Sequence, residues 1–181
     1  MKTNTPHTSL FDPVNPVDHV QGPEHAPVTL IEYGDFECPS CKVAAPAARM
    51  LLQQFPNKIR FVFRHFPLEQ AHPHAVLAAE ASECAAAQGQ FWPLHDLLFE
   101  HQTHLKQADL IRYAAQLGLD AARFTAELDD HIYLQRVREH IQSGQHSHIR
   151  ATPTFYLNGV VQGVSFGMQS LRDAVAVAVK H

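Results

Sequence analysis

The stretch Val28-Thr-Leu-Ile-Glu-Tyr-Gly-Asp-Phe-Glu-Cys-Pro-Ser-Cys41 decides the fold of this chain. Its first six residues are mostly apolar with β-branched members, which predicts a buried strand over Val28–Tyr33. Gly34-Asp35 ends the run, and Cys38-Pro39-Ser40-Cys41 follows at once. From Ser40 to about Gln54 the pattern becomes helical, rich in Ala, Leu and Met. Pro46 falls inside it and is expected to kink the helix without ending it, because apolar spacing resumes at Met50, Leu51 and Leu52.

Downstream, Ile59-Arg-Phe-Val-Phe-Arg-His65 alternates like a second strand with aromatic residues on one face. Strand, helix and strand then make a right-handed parallel crossover. Residues 74–145 read as helical almost throughout. Helices are expected at 75–87, 91–101, 107–117 before Gly118, 121–128 and 130–145. The end returns to β structure: Thr154–Leu157 and Val160–Gln162 flank Asn158-Gly159, a dipeptide suited to a two-residue type I′ turn. A last helix is expected at 169–179. Upstream, residues 1–26 carry Pro6, Pro13, Pro16 and Pro23 without apolar periodicity, which predicts an extended arm lying on the surface. The expected architecture is α/β, with one sheet assembled across an all-helical insertion. The expected segments are the arm at 1–26, the core at 27–66 and 130–181, and the insertion at 67–129.

The spacing of the two cysteines carries chemistry. Disulfide exchange needs a thiolate that attacks a disulfide sulfur and a second thiol that resolves the mixed disulfide. Two intervening residues at a helix start let both sulfurs reach bonding distance. Cys38 falls at or just before the first turn, where unpaired N–H groups and the helix dipole favour negative charge, so its pKa should fall. Cys41, one turn further in, should be more buried. Cys38 is therefore expected to attack and Cys41 to resolve. Pro39 suits the first turn, where its missing N–H costs nothing, and Pro39-Ser40 tunes the potential. A zinc half-site is the competing reading of Cys-x-x-Cys, but Cys84 is solitary and no second such pair exists in the sequence.

Composition narrows the classes. Among 181 residues, 14 Lys and Arg stand against 18 Asp and Glu, a net charge of -4 that offers no footprint for nucleic acid or an anionic membrane. No apolar run is long enough to span a bilayer. The opening Met-Lys-Thr-Asn-Thr-Pro-His lacks the apolar core of a secretory signal, so a cytoplasmic location is expected. Three cysteines do not make a disulfide framework. Thr152-Pro153 opens the first strand of the hairpin, and sequence leaves its peptide isomer open.

With these residues in view, the chain resembles the DsbA-like branch of the thioredoxin superfamily. It is most similar to small bacterial proteins of that branch, some of them fused behind sodium/proton antiporters. The resemblance runs from about residue 18 and rests on the 26–41 segment, His72–Phe99 and Thr152–Gly159. It implies a thioredoxin fold with a helical insertion between the βαβ half and the C-terminal hairpin–helix half. It implies that Cys38 is the nucleophile, Cys41 its partner and Pro153 a cis-proline facing the disulfide, with Thr152 offering backbone groups to an extended substrate alongside Pro39 and Ser40. Glu32 matches the family's buried acid, which accepts the resolving thiol's proton. An outward polar residue on a strand is the other reading of Glu32. The chain departs from many relatives in having Ala151 where they have Gly, preceded by Arg150. Secreted members carry signal peptides and the opening residues here do not read as one, so a periplasmic oxidase role is not expected to carry over.

Fourteen histidines invite a metal reading. His72-Pro73-His74 and His146-Ser147-His148 resemble metal pairs and His95, His101 and His104 cluster in the helical block, yet no His-x-x-x-His lies on one predicted face with a carboxylate to complete a site. No metal and no cofactor beyond the redox pair are expected, and Cys84 is expected to be a buried inert thiol. The expected function is a thiol–disulfide oxidoreductase acting on protein or small-molecule thiols, as a monomer, with an electron donor or acceptor still to be named. A thiophilic metal carrier using Cys38, Cys41 and a histidine, and a non-catalytic module binding extended peptides, are the alternatives.

Overall fold

A computed structural model describes residues 9–164 and 168–180. The elements in chain order are β1 (His19–Gln21), β2 (Val28–Gly34), α1 (Pro39–Gln54), β3 (Ile59–His65), α2 (Ala75–Ala86), α3 (Phe91–Glu100), α4 (Gln107–Gln116), α5 (Ala121–Asp129), α6 (Leu134–His146), β4 (Thr154–Leu157), β5 (Val160–Gln162) and α7 (Gln169–Ala178). The sheet order is β1-β3-β2-β4-β5. β2 and β3 run parallel from Val28 opposite Ile59 to Gly34 opposite His65, and the other pairs are antiparallel. This is the mixed α/β thioredoxin fold with the helical insertion that the sequence predicts.

Strand β2 sits at the centre and is buried on both faces, which explains its near-continuous apolar run. Leu30 packs with α1 and α7 through Leu51, Leu171 and Val175. Ile31 and Tyr33 face the other side, against Val62, Phe66 and Tyr156. The helical insertion has its own apolar centre, joined to the sheet through Phe36 and Phe63. Pro46 lies inside α1, which continues through it.

Two expectations are corrected. The arm is not only an extended surface segment: His19–Gln21 form β1 against β3, and Asp18 is buried beside Arg64. All five Arg64 N–H donors are used, two on Asp18, two on the Asp12 and Pro13 carbonyls and one on Tyr33 Oη. A buried guanidinium needs its counter-ion and acceptors, and the arm supplies them. The sixth helix starts at Leu134, not 130, because Asp130 caps α5 and His131 takes a left-handed φ of 52° that breaks the helical path. At the end of α6, His148 holds a left-handed φ of 58° where glycine is usual. Its N–H bonds the Gln145 carbonyl and that of Ile149 bonds Gly144, a Schellman end that aims the chain at Thr152.

Candidate active site

Strand β2 delivers the chain to the head of α1. Cys38 caps that helix with extended backbone (φ -77°, ψ 123°), and Pro39 occupies its first turn. The Cys38 N–H bonds the Asp35 carbonyl at 3.1 Å, which closes the turn between strand and helix. Cys38 and Cys41 are both buried and both free thiols. Pro39 and Ser40 are exposed beside them.

Across the chain, the loop before β4 faces the cysteines. Cys38 Sγ donates to the Thr152 carbonyl at 3.4 Å, and the Thr152–Pro153 peptide bond is cis. Thr152 and Pro153 are buried, whereas Arg150 and Ala151 are exposed. Ala151 does not take a positive φ, so the loop needs no glycine there.

The two thiols are held very differently. The Cys38 pKa is lowered to about 5, first by the hydrogen bond from the Cys41 thiol. Burial opposes this, while Thr152 and the Cys41 and Ser40 backbone N–H groups reinforce it. Burial, the bond to Cys38 and the charge of Glu32 push the Cys41 thiol far up. Glu32 lies on β2 and is 1% exposed, with no hydrogen-bond partner for Oε1. Burial, then the charge of Cys38, raises its pKa to about 8. The outward reading of Glu32 is thereby set aside. A cavity of about 220 Å³ lined by Glu32, Arg49, Trp92, His95 and Asp96 borders this carboxyl.

Several residues of the site are not marked as part of it by the sequence. Gln102, after α3, donates to the Phe36 and Cys38 carbonyls at 2.9 and 2.8 Å. Buried Asp35 accepts from the Glu37 and Leu68 backbones and pairs with His72 Nδ1 at 2.7 Å. Burial works against the His72 imidazolium, but its bond to Asp35 and the nearby Cys38 charge leave its pKa raised. Glu37 binds both the backbone and the ring of His74. The His-Pro-His segment is thus a clasp over the cysteine turn, with each histidine taken by a carboxylate that flanks Cys38. The signal was present only as two acids at positions 35 and 37 and two histidines at 72 and 74, with nothing in sequence to align them.

The other histidine groups do not converge. His95 is buried against Asp96, His101 stacks on Tyr113 and His104 contacts Thr103. His146 packs on Phe11. Cys84 is fully buried in α2, and burial, followed by the charges of Glu127, Glu80 and Glu83, pushes its thiol up to about 12.

Comparisons with known proteins agree with this geometry. The profile of the family described as Thioredoxin matches residues 14–176. The chain is 49% identical over 170 residues to the Na(+)/H(+) antiporter NhaA 1 of Salinispora arenicola, covering 93% of this chain and 26% of that protein. It is 47% identical over 151 residues to the antiporter NhaA of Herminiimonas arsenicoxydans, covering 83% and 24%. The chain spans about a quarter of the length of these curated relatives. Among solved structures, oxidised BdbD from Bacillus subtilis superposes with a TM-score of 0.80 at 26% identity, over 90% of this chain and 92% of that one. A thioredoxin-like oxidoreductase from Silicibacter pomeroyi does so with a TM-score of 0.78 at 26% identity, over 92% and 95%. With its cysteine pair at the helix head, the proline loop facing it and a profile match over residues 14–176, this chain belongs to the thioredoxin family.

Proposed function

We propose that the chain cycles Cys38 and Cys41 between dithiol and disulfide, exchanging with protein or small-molecule thiols. The carrying observation is the asymmetry of the pair: Cys38 is poised as a thiolate at neutral pH and Cys41 is held as a thiol. The Cys38 thiolate attacks a substrate disulfide, one substrate sulfur leaves as a thiolate, and a mixed disulfide forms. That step removes the Cys38 charge, which is one of the two causes that keep Glu32 protonated. Glu32 then ionises more readily at the moment when Cys41 must lose its proton. Glu32 first releases its own proton to solvent, its carboxylate then takes the Cys41 proton through water, and the Cys41 thiolate attacks Cys38 Sγ and displaces the second substrate thiolate.

An extended substrate segment would lie against Thr152 and Pro153, with Pro39 and Ser40 on the opposite rim. The chain acts as a monomer in this reading and needs no cofactor beyond the pair itself. In a reducing cytoplasm, the expected compartment, the pair would stand mostly reduced and favour reductase or isomerase work. One observation favours a net oxidant instead: a stabilised Cys38 thiolate favours the dithiol over the disulfide, which raises the reduction potential.

The test is the reduction potential of Cys38–Cys41, equilibrated against glutathione and read by thiol alkylation. A value near that of thioredoxin, about -270 mV, supports a reductase, and one near that of DsbA, about -120 mV, makes it an oxidant. A pair that does not exchange with glutathione at all sinks the redox reading.

A further inference from the structure

Away from the cysteine pair, three side chains from three elements meet at one point. Nε2 of His19, on β1, and Nε2 of His65, at the end of β3, each lie 2.7 Å from the same oxygen, Oε1 of Glu83 on α2. The three donor atoms all fall within 4.8 Å of one another. The His65 and Glu83 side chains are 1% and 7% exposed and His19 is 13% exposed, so the cluster is shielded yet reachable from the His19 side.

We propose that His19, His65 and Glu83 form a binding site for a divalent zinc ion, distinct from Cys38 and Cys41. Two imidazole nitrogens and one carboxylate oxygen are a donor set that zinc accepts with a fourth position left open. Calcium and magnesium prefer shells of oxygen, so this set selects against them.

The ligands are held in place before any ion arrives. The His19 ring stacks on Phe91 with centroids 3.6 Å apart and planes 7° apart. The His65 backbone N–H is bound by His140 Nδ1 at 3.1 Å, and its strand is paired along its length with β2. Ligands about 2.1 Å from a tetrahedral ion lie roughly 3.4 Å apart. Glu83 would therefore draw back from both rings by less than about 1 Å, and the two ring nitrogens, which lie within 4.8 Å of each other, would settle at the same spacing. The bound ion would fasten the edge strand β1 to β3 and α2.

The experiment uses the full chain with Cys38 and Cys41 oxidised to the disulfide, which removes their thiols as competing ligands. Zinc is titrated by calorimetry, and cobalt(II) by visible absorption followed by displacement with zinc. One equivalent should bind without a thiolate-to-metal charge-transfer band. Removing even an outer-shell partner costs about 10–100-fold in metal affinity, so His19→Ala and Glu83→Gln should each weaken binding roughly 100-fold or more. No stoichiometric binding to the oxidised chain, or equal affinity in both variants, overturns the site and leaves a hydrogen-bonded His–Glu–His bridge. Should Glu83→Gln fail to fold, X-ray absorption on the zinc-loaded wild-type chain decides the matter directly. Two imidazoles with oxygen support the site, and sulfur or an all-oxygen shell overturns it.

Discussion

The side-chain amide of Gln102 bridges the carbonyls of Phe36 and Cys38, at 2.9 and 2.8 Å. A residue from the insertion thereby holds the turn that carries the Cys38 sulfur. Gln102→Ala removes both bonds and should cost about 1–3 kcal/mol of stability, at the usual net value of 0.5–1.5 kcal/mol per bond. Denaturant unfolding reads this. Turnover in an insulin-reduction assay should fall with it, because the Cys38 carbonyl is freed to move the sulfur away from Thr152. Unchanged stability and turnover would show that the bridge is incidental.

Glu32 should make the protein less stable as pH rises. Its carboxyl titrates at about 8 in the folded chain, through burial and the Cys38 charge, against 4.5 as the ordinary value. Between these the folded chain binds the extra proton, so unfolding becomes easier with increasing pH. Glu32→Gln removes that loss. It should be more stable than the wild type by on the order of a few kcal/mol above pH 8, with little difference below pH 4.5. The same variant should close the Cys38–Cys41 disulfide more slowly in stopped-flow oxidation. A stability difference that does not change with pH would rule out a buried titrating carboxyl.

Cys38 carries the opposite sign. Its folded pKa is about 5, held down first by the Cys41 hydrogen bond, against an ordinary 9. Between these values the unfolded chain binds the extra proton, so the reduced protein gains stability as pH rises and loses it as pH falls through 5. Cys38→Ser should flatten that slope and abolish turnover, while Cys41→Ser should accumulate mixed disulfides. Ultraviolet thiolate absorbance of the reduced wild type should titrate with a midpoint near 5. A midpoint near that of a free thiol would remove the basis for Cys38 as nucleophile.

Asp18→Ala tests the role of the arm. It leaves the Arg64 guanidinium buried, with two of its five bonds gone. Breaking a buried pair by removing one partner costs about 3–5 kcal/mol, and Asp18→Asn should cost less because it keeps acceptor oxygen near Arg64. Equilibrium unfolding of both variants gives the comparison. A loss below about 1 kcal/mol, the value of an exposed pair, would mean that the arm is not anchored there.

Much of the fold was legible because its signals are local. The apolar run at Val28–Tyr33, the helical periodicities between Ser40 and His146, and the Asn158-Gly159 turn each encode their element within a few residues. The ends of α2, α3, α4, α5 and α7 fell within a residue of where periodicity placed them. The start of α6 did not, because the left-handed backbone of His131 is set by the junction with α5 and by the bond from its ring to Glu80. Strand β1 was invisible for a related reason. Three residues in a proline-rich arm have no period to read, and the strand exists only because β3 offers it an edge.

The sequence by itself determined the chemistry of this protein: a cysteine pair directly after a buried strand and at the head of a helix, with Thr152-Pro153 far along the chain. Spacing and backbone preference act over one or two turns, so a single chain carries them openly. Only the tertiary structure decided what surrounds that pair. Glu32 lies buried with its Oε1 unpartnered, Gln102 ties the cysteine turn, and His72 and His74 meet Asp35 and Glu37 from beyond the next strand. Burial and charge–charge distances shift the pKa values of these groups, and both quantities come into being only when segments far apart in the chain pack together.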